Sequence, residues 1–313
     1  MRIQILGSAA GGGFPQWNCG CGNCVGIRKN VRDNKFSAQA RTQAQLALSA
    51  DGSTWFLAGA SPDLAFQIEN SAELHPRALH NTPRDSPVAG VVLGSSDLDH
   101  VLGLLLLREL QPLRIYSTAS VRSILREDNS MFAMLQRVPN QAVWSEFQAG
   151  TEFSLCNARG ENSGMRCRAI SLSTHYPAYV RPERRSQLTP GEASLGFMVE
   201  SQSGSRFAYM PAVPHLEDAL IQQLNSCDVL LFDGTFWSDD ELIRVQGSGQ
   251  TATQMGHIPV ENILAKLAGV RHPRKIFLHI NNTNPILDEA SPQYRQVRDA
   301  GWEIAEDGWQ FDL

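Results

Sequence analysis

The chain has 313 residues, a formal net charge of −5, and 42% hydrophobic and 19% charged residues. This is the composition of a globular chain with enough apolar side chains for a large core, and its acidic balance argues against a nucleic-acid surface. No apolar run approaches the roughly 20 residues that a membrane span requires. The N-terminus also lacks the apolar core and cleavage site of a signal peptide, so a cytoplasmic protein with no membrane span is expected.

Met1–Gly7 opens as a strand over Arg2–Leu6, followed by the glycine-rich loop Gly7–Gly13. That loop is neither GxGxxG nor a P-loop, because no Lys-Ser/Thr follows it; it reads as backbone that passes close to a site. Next comes Asn18-Cys19-Gly20-Cys21-Gly22-Asn23-Cys24, three thiols within a loop spanning 18–25. Thiolates spaced this tightly, with glycine between them, can wrap one tetrahedral zinc with a fourth ligand from elsewhere. Cys156, Cys167 and Cys227 sit singly in apolar surroundings and read as buried, inert thiols.

After the polar segment Arg28–Gln43, the strands Ala44–Ser49 and Thr54–Ala58 flank an Asp51-Gly52 hairpin signal. Ala60–Asp63 makes a turn ahead of Leu64–Ile68. The buried strand Val88–Leu93 then delivers Gly94-Ser95-Ser96-Asp97-Leu98-Asp99-His100 to an apolar helix over Val101–Leu110. Leu113–Ser117 is a strand; Val121–Leu125 and Met131–Leu135 are short helices. Thr151–Leu155, Arg166–Ser171, Leu195–Val199 and Arg206–Tyr209 alternate as strands of a second meander. Leu216–Leu224 is helical, Cys227–Phe232 is a strand buried on both faces, Val260–Leu267 is an amphipathic helix, and Lys275–Ile280 is the last buried strand. Two strand clusters, each followed by helices and with no linker between them, predict one α/β domain over 1–313, a four-layer αββα sandwich.

Polar residues gather at the strand ends: Asp97, Asp99 and His100, then His175, Asp233, His257 and His279. A single histidine beside an apolar run is usually a satisfied structural group, and Asp97 could merely cap the following helix. Four histidines and two aspartates, Asp99 and Asp233, each at a strand end or beside a glycine, are less easily dismissed, and Asp99 and His100 are residue types that suit a metal. His75, His80, His215 and His272 lie near prolines or charges and read as surface residues.

The glycine-rich loop after the first strand, Asp-His after a buried strand, and histidines further on resemble the metallo-β-lactamase superfamily. The CxCxxC loop is similar to that of its phosphodiesterase-like branch, where it holds a structural zinc. More narrowly, Gly7–Cys24, Asp99–Glu109, Asp233–Leu242 (DGTFWSDDEL), Met255-Gly256-His257 and Leu278–Leu287 (LHINNTNPIL) resemble the coenzyme PQQ synthesis protein B family. The resemblance implies a metallo-β-lactamase-like fold and a role in making pyrroloquinoline quinone (PQQ).

The departures from the hydrolase pattern matter as much. Hydrolases of the superfamily carry HxHxDH, whereas Ser95 and Asp97 replace the two leading histidines here. No acidic residue follows Arg206–Met210, where Pro211-Ala212-Val213-Pro214 stands. A two-metal clamp needs ligands for both ions, so β-lactam or phosphodiester hydrolysis is not expected and a mononuclear site is.

By resemblance, Asp99, His100, His175 and His279 hold an active-site iron(II), or zinc in the protein as isolated. The implied reaction is hydroxylation of a tyrosine-derived PQQ precursor. Asp97, Asp233 and His257 are the catalytic candidates. Asp97 or Asp233 orients a ligand or adds one, and Asp233 alternatively makes its own Asp-Gly-Thr turn. His257 lines the substrate pocket, caps a helix, or supplies the fourth ligand to the zinc of Cys19, Cys21 and Cys24. That ligand cannot stand three residues after His279, because Asn282 is there. The expected partners are the small-molecule precursor or PQQ itself, other proteins of the pathway and a further copy of the chain. The alternative function is a soluble carrier that assists transport of PQQ or its precursor to the periplasm without catalysis.

Overall fold

A computed structural model describes residues 1–31, 36–77, 85–109, 111–271 and 273–313. His80, His272 and Leu110, the expected end of a helix, lie outside the described residues. The chain divides into two compact units: Met1–Leu6 with Gln45–Ser205 and Gly308–Leu313, and Gly7–Ala44 with Arg206–Asp307.

The strands in chain order are β1 (Arg2–Gly7), β2 (Gln45–Ser49), β3 (Trp55–Ala58), β4 (Val88–Val92), β5 (Leu113–Ser117), β6 (Ala142–Glu146) and β7 (Glu152–Cys156). They continue with β8 (Asn162–Ser171), β9 (Leu195–Ser201), β10 (Arg206–Met210), β11 (Val229–Asp233), β12 (Arg274–Leu278), β13 (Trp302–Ile304) and β14 (Gln310–Asp312). The helices are α1 (Gly22–Arg28), α2 (Leu64–Glu69), α3 (Leu98–Val101), α4 (Ala119–Ser123), α5 (Pro182–Arg185), α6 (Asp218–Leu224), α7 (Glu241–Gln246), α8 (Val260–Lys266) and α9 (Pro292–Asp299).

In the first unit, seven strands lie in the order β14-β1-β2-β3-β4-β5-β6. β3 through β6 run parallel, whereas β1 pairs antiparallel with β14 and β2 with β3. The continuous apolar runs of β3 and β4 suit parallel strands covered on both faces, and Trp55, Leu57, Val91, Leu93, Ile115 and Leu104 share one buried cluster. β7, β8 and β9 run antiparallel. Along β8, Met165, Cys167 and Ala169 are buried while Arg166 and Arg168 are exposed, the alternation of a strand with one wet face.

In the second unit, β10, β11, β12 and β13 lie side by side and parallel. β11 is buried at every position, and Trp302 stacks on Phe277 at 4.1 Å between ring centroids. The glycine-rich loop is held by the far end of the chain: Asp307 accepts from Ser8 Oγ at 2.7 Å and from both the amide and hydroxyl of Thr42. Burial raises the Asp307 carboxyl above its ordinary pKa, against those hydrogen bonds.

Several sequence expectations are corrected. The helix over Val101–Leu110 is instead the short α3 followed by a 3-10 segment, Leu102–Leu107. Gly103 explains the break, because its amide bonds Ala60 O at 2.9 Å and a Cβ there would stand 2.3 Å from Ser61 O. Met131–Leu135 likewise lies in a 3-10 segment. Lys275–Ile280 is not the last strand: β12 ends at Leu278, and β13 and β14 follow. Cys156 is half-buried rather than buried, whereas burial raises the thiols of Cys167 and Cys227, the latter to about 11. His75 and His215 are exposed as expected.

Candidate metal centre

In the first unit the Asp-His stretch is locked from several sides. Gly94 packs so closely that a Cβ would lie 2.6 Å from Leu195 O. Ser95 bridges to Ser194, and Tyr179 donates its hydroxyl to Ser96 O at 2.5 Å. Asp97 occupies the position before α3 but makes no side-chain cap there; its carboxylate takes the Ser95 hydroxyl instead. Helix capping is therefore not what its side chain does.

Asp99 and His100 are half-buried neighbours, with Oδ2 and Nε2 3.8 Å apart. His100 O accepts from Ala60 N at 2.7 Å, and a Cβ on Gly59 would stand 3.4 Å from His100 Nδ1. Gly59 adopts φ +78°, and the buried Gln45 amide holds its turn by bonding Ala58 O, Gly59 O and Ser61 N. A small residue with left-handed freedom is thus required beside the imidazole.

In the second unit, Asp233, His257 and His279 are all buried and offer ligand atoms within 4.8 Å of one another. Four donors converge on the Asp233 carboxylate. Oδ1 receives Thr235 N at 3.0 Å and Thr235 Oγ1 at 2.7 Å. Oδ2 receives Val213 N at 2.9 Å and stands 2.8 Å from His257 Nδ1. Val213 lies in the Pro-Ala-Val-Pro stretch after β10, where the chain supplies a backbone N–H and no acid.

Asp233 thus makes its own Asp-Gly-Thr turn and also stands at hydrogen-bond distance from His257. Gly234 between Asp233 and Thr235 is demanded by packing, because a Cβ would stand 3.0 Å from Phe277 Cβ. The His257 and His279 rings stack at 5.5 Å between centroids. His279 has φ +58°, a conformation of about 1–3 kcal/mol strain for a residue with a Cβ. It follows β12 directly, so the left-handed residue turns the chain out of the ladder.

The cysteines meet in the same unit. Cys19, Cys21 and Cys24 have Sγ atoms within 4.8 Å of one another. Cys21 stands immediately before α1 and Cys24 lies buried within it. Arg28, at the end of α1, donates to Cys19 O and Gln16 O and closes the loop. Burial pushes the Cys21 thiol up to about 12; at Cys19 burial is outweighed by hydrogen bonds from the Cys21 amide and the neighbouring thiols, and the pKa falls.

The residue beside the thiols is Asn282, whose Nδ2 stands 3.3 Å from Cys24 Sγ and 3.7 Å from Cys21 Sγ. His257 does not stand with these thiols and clusters instead with Asp233 and His279. In the sequence, Asn282 is marked only as the position where a histidine is missing. His175 is exposed, its amide bonding Ser173 Oγ, and it belongs to no cluster of metal-ligating atoms among the described residues.

A sequence family described as "Beta-lactamase superfamily domain" matches residues 54–280. A coenzyme PQQ synthesis protein B from Pseudomonas syringae pv. syringae is 39% identical over 321 residues, covering 100% of both chains. The chain belongs to the coenzyme PQQ synthesis protein B family. A member of that family from Nitrosococcus oceani is 39% identical, again over 100% of both chains. Among solved structures, Zn(2+)-bound PqqB from Methylobacterium extorquens superposes with a TM-score of 0.88 at 35% identity over 100% of both chains. A diphosphatase of the PhnP family shares the fold at a TM-score of 0.64 and 17% identity. The metallo-β-lactamase fold, two sheets with helices, and a place in PQQ biosynthesis follow from this membership. Among the described residues, no helix is long and apolar enough to cross a membrane.

Proposed function

We propose that the protein is a mononuclear iron(II)-dependent hydroxylase of a tyrosine-derived PQQ precursor, acting in the cytoplasm. The observation that carries this reading is the Asp233–Thr235–His257–His279 network, in which one strained imidazole stands beside a second that a buried carboxylate orients. Asp99, His100, His175 and His279 hold the iron in this proposal, a set of borderline and hard donors that iron(II) and zinc both accept. Bound iron(II) supplies reactivity toward dioxygen that no side chain has. Asp233, with its carboxylate already engaged by four donors, orients His257 rather than ligating. His257 then handles the proton released from the substrate's ring hydroxyl. Asp97 holds the Ser95 hydroxyl and steadies the turn from which Asp99 and His100 project.

Cys19, Cys21 and Cys24 hold a structural zinc, for which three thiols closed by a short helix are a fitting donor set. Zinc in the Methylobacterium extorquens relative is in keeping with metal binding here.

The test is anaerobic loading with iron(II), followed by oxygen, a tyrosine-derived substrate and a two-electron reductant such as ascorbate, which reduces the second oxygen atom to water. Oxygen uptake with ring hydroxylation is expected, abolished by His100→Ala and by His279→Ala. Unchanged turnover in both variants overturns the iron site. Tight binding of PQQ with no oxygen uptake under any metal would establish the carrier function instead.

A further inference from the structure

The Thr235 hydroxyl meets four polar neighbours at once. Oγ1 lies 2.7 Å from Asp233 Oδ1, 2.9 Å from His279 Nδ1, 2.9 Å from His279 O and 3.1 Å from His257 Nδ1. The side chain is buried, and its backbone is fixed by Asn281 N donating to Thr235 O at 3.0 Å and by the Asn284 amide.

A hydroxyl has one proton to give and two lone pairs to receive with. Two of the four neighbours, the Asp233 carboxylate oxygen and the His279 carbonyl, can only accept. Both oxygen–oxygen contacts, 2.7 Å to the carboxylate and 2.9 Å to the carbonyl, call on the one hydroxyl proton, so the hydroxyl donates to one of these two oxygens and to neither ring. With that proton committed, Oγ1 can only accept from the ring nitrogens. His279 Nδ1 must then carry hydrogen, and so must His257 Nδ1, which also faces the acceptor Asp233 Oδ2 at 2.8 Å.

We propose that Thr235 is a positioning residue that fixes His279, and with Asp233 fixes His257, as the Nδ1–H tautomer, so that each ring carries its lone pair on Nε2. Neutral histidine in water prefers the opposite tautomer, so the hydroxyl holds His279, and the hydroxyl with the Asp233 carboxylate holds His257, away from the intrinsic state. A ring held this way is ready to bind a metal or take a proton at Nε2 without first exchanging its own hydrogen. The consequence for metal binding rests on the function proposed above; the tautomers themselves do not.

The experiment is nitrogen-15 NMR of the histidine rings in the full-length chain purified without added iron, with resonances assigned through His257→Gln and His279→Gln. Both rings are expected in the Nδ1–H form. Thr235→Val, which keeps the shape and removes the acceptor, should move His279 to the Nε2–H form, and Thr235→Ser should restore the original pattern. An Nε2–H signal for His279 in the parent chain, or an unchanged spectrum in Thr235→Val, overturns the proposal; should Thr235→Val fail to fold, the parent spectrum alone decides. Zinc titration of the same proteins adds a second reading. Thr235→Val should bind about 10–100-fold more weakly, with recovery in Thr235→Ser. A tautomer change with unaltered zinc affinity would uphold the role of Thr235 and remove His279 from the ligand set.

Discussion

His257 Nδ1 stands 2.8 Å from Asp233 Oδ2, and both side chains are buried. The partners of this carboxylate are all donors, two of them backbone amides that cannot move away. Asp233→Asn would turn an NH2 group toward donors and leave at least one of them unsatisfied in the interior. A stability loss of about 2–3 kcal/mol is expected, measured as a lower denaturant midpoint with an unchanged slope. A variant as stable as the parent would show that the network positions His257 without holding the fold.

Glu241 gives a pH dependence with a definite sign. Burial raises its carboxyl from an ordinary 4.5 to about 7, against hydrogen bonds from Thr283 Oγ1 and Trp237 N. The folded chain therefore holds a proton that the unfolded chain has lost. The contribution of this group is full below about pH 4.5 and fades as pH rises to about 7, at a slope of roughly 1.4 kcal/mol per unit. Denaturation across that window should show the slope reduced in Glu241→Gln, and a parent and variant with identical pH profiles would contradict the shift.

The cysteine loop predicts a metal count. Cys21→Ala should lose one zinc per chain by elemental analysis and melt earlier, because a structural zinc stabilises the folded state directly. Retention of that zinc would remove the loop from the metal sites.

Gly103 tests the packing that ends α3. Placing a methyl 2.3 Å from Ser61 O forces apart the turn that also carries Ala60, whose amide bonds His100 O. Gly103→Ala should cost about 1–3 kcal/mol in chemical denaturation, whereas Gly150→Ala, with open space around its Cβ position, should cost only the strain of its φ of +81°.

His175 is the exposed member of the proposed ligand set. His175→Ala removes an exposed side chain and should change stability by less than about 0.5 kcal/mol. Loss of iron in that variant, measured by metal content after desalting, identifies His175 as a ligand; full iron content dismisses it.

The local features of the sequence were the readable ones. The thiols of Cys19, Cys21 and Cys24 meet within a single turn, so spacing alone predicted them, and the long apolar run of β11 predicted a buried strand. What escaped depends on distant chain. The partner of His257 is 24 positions away, so its three alternatives could not be separated by spacing. β6 is a half-exposed edge strand with weak alternation, and β13 and β14 are three residues each, too short to leave a periodic signal. His279 looked like a strand residue because its left-handed φ is invisible in an apolar run. Asn282 carried no signal as a neighbour of the thiols beyond the histidine it replaces.

The pairing of β1 with β14 sets a timetable for the chain's birth. Arg2 meets Asp312 across 310 positions of sequence. β1 therefore keeps one hydrogen-bonding edge unfilled until Gln310–Asp312 has been made. Contacts of such separation make folding slow and leave the strand open to other chains in the meantime. Synthesis of a chain ending before Gln310 should give a product that aggregates even though every proposed metal ligand is already present.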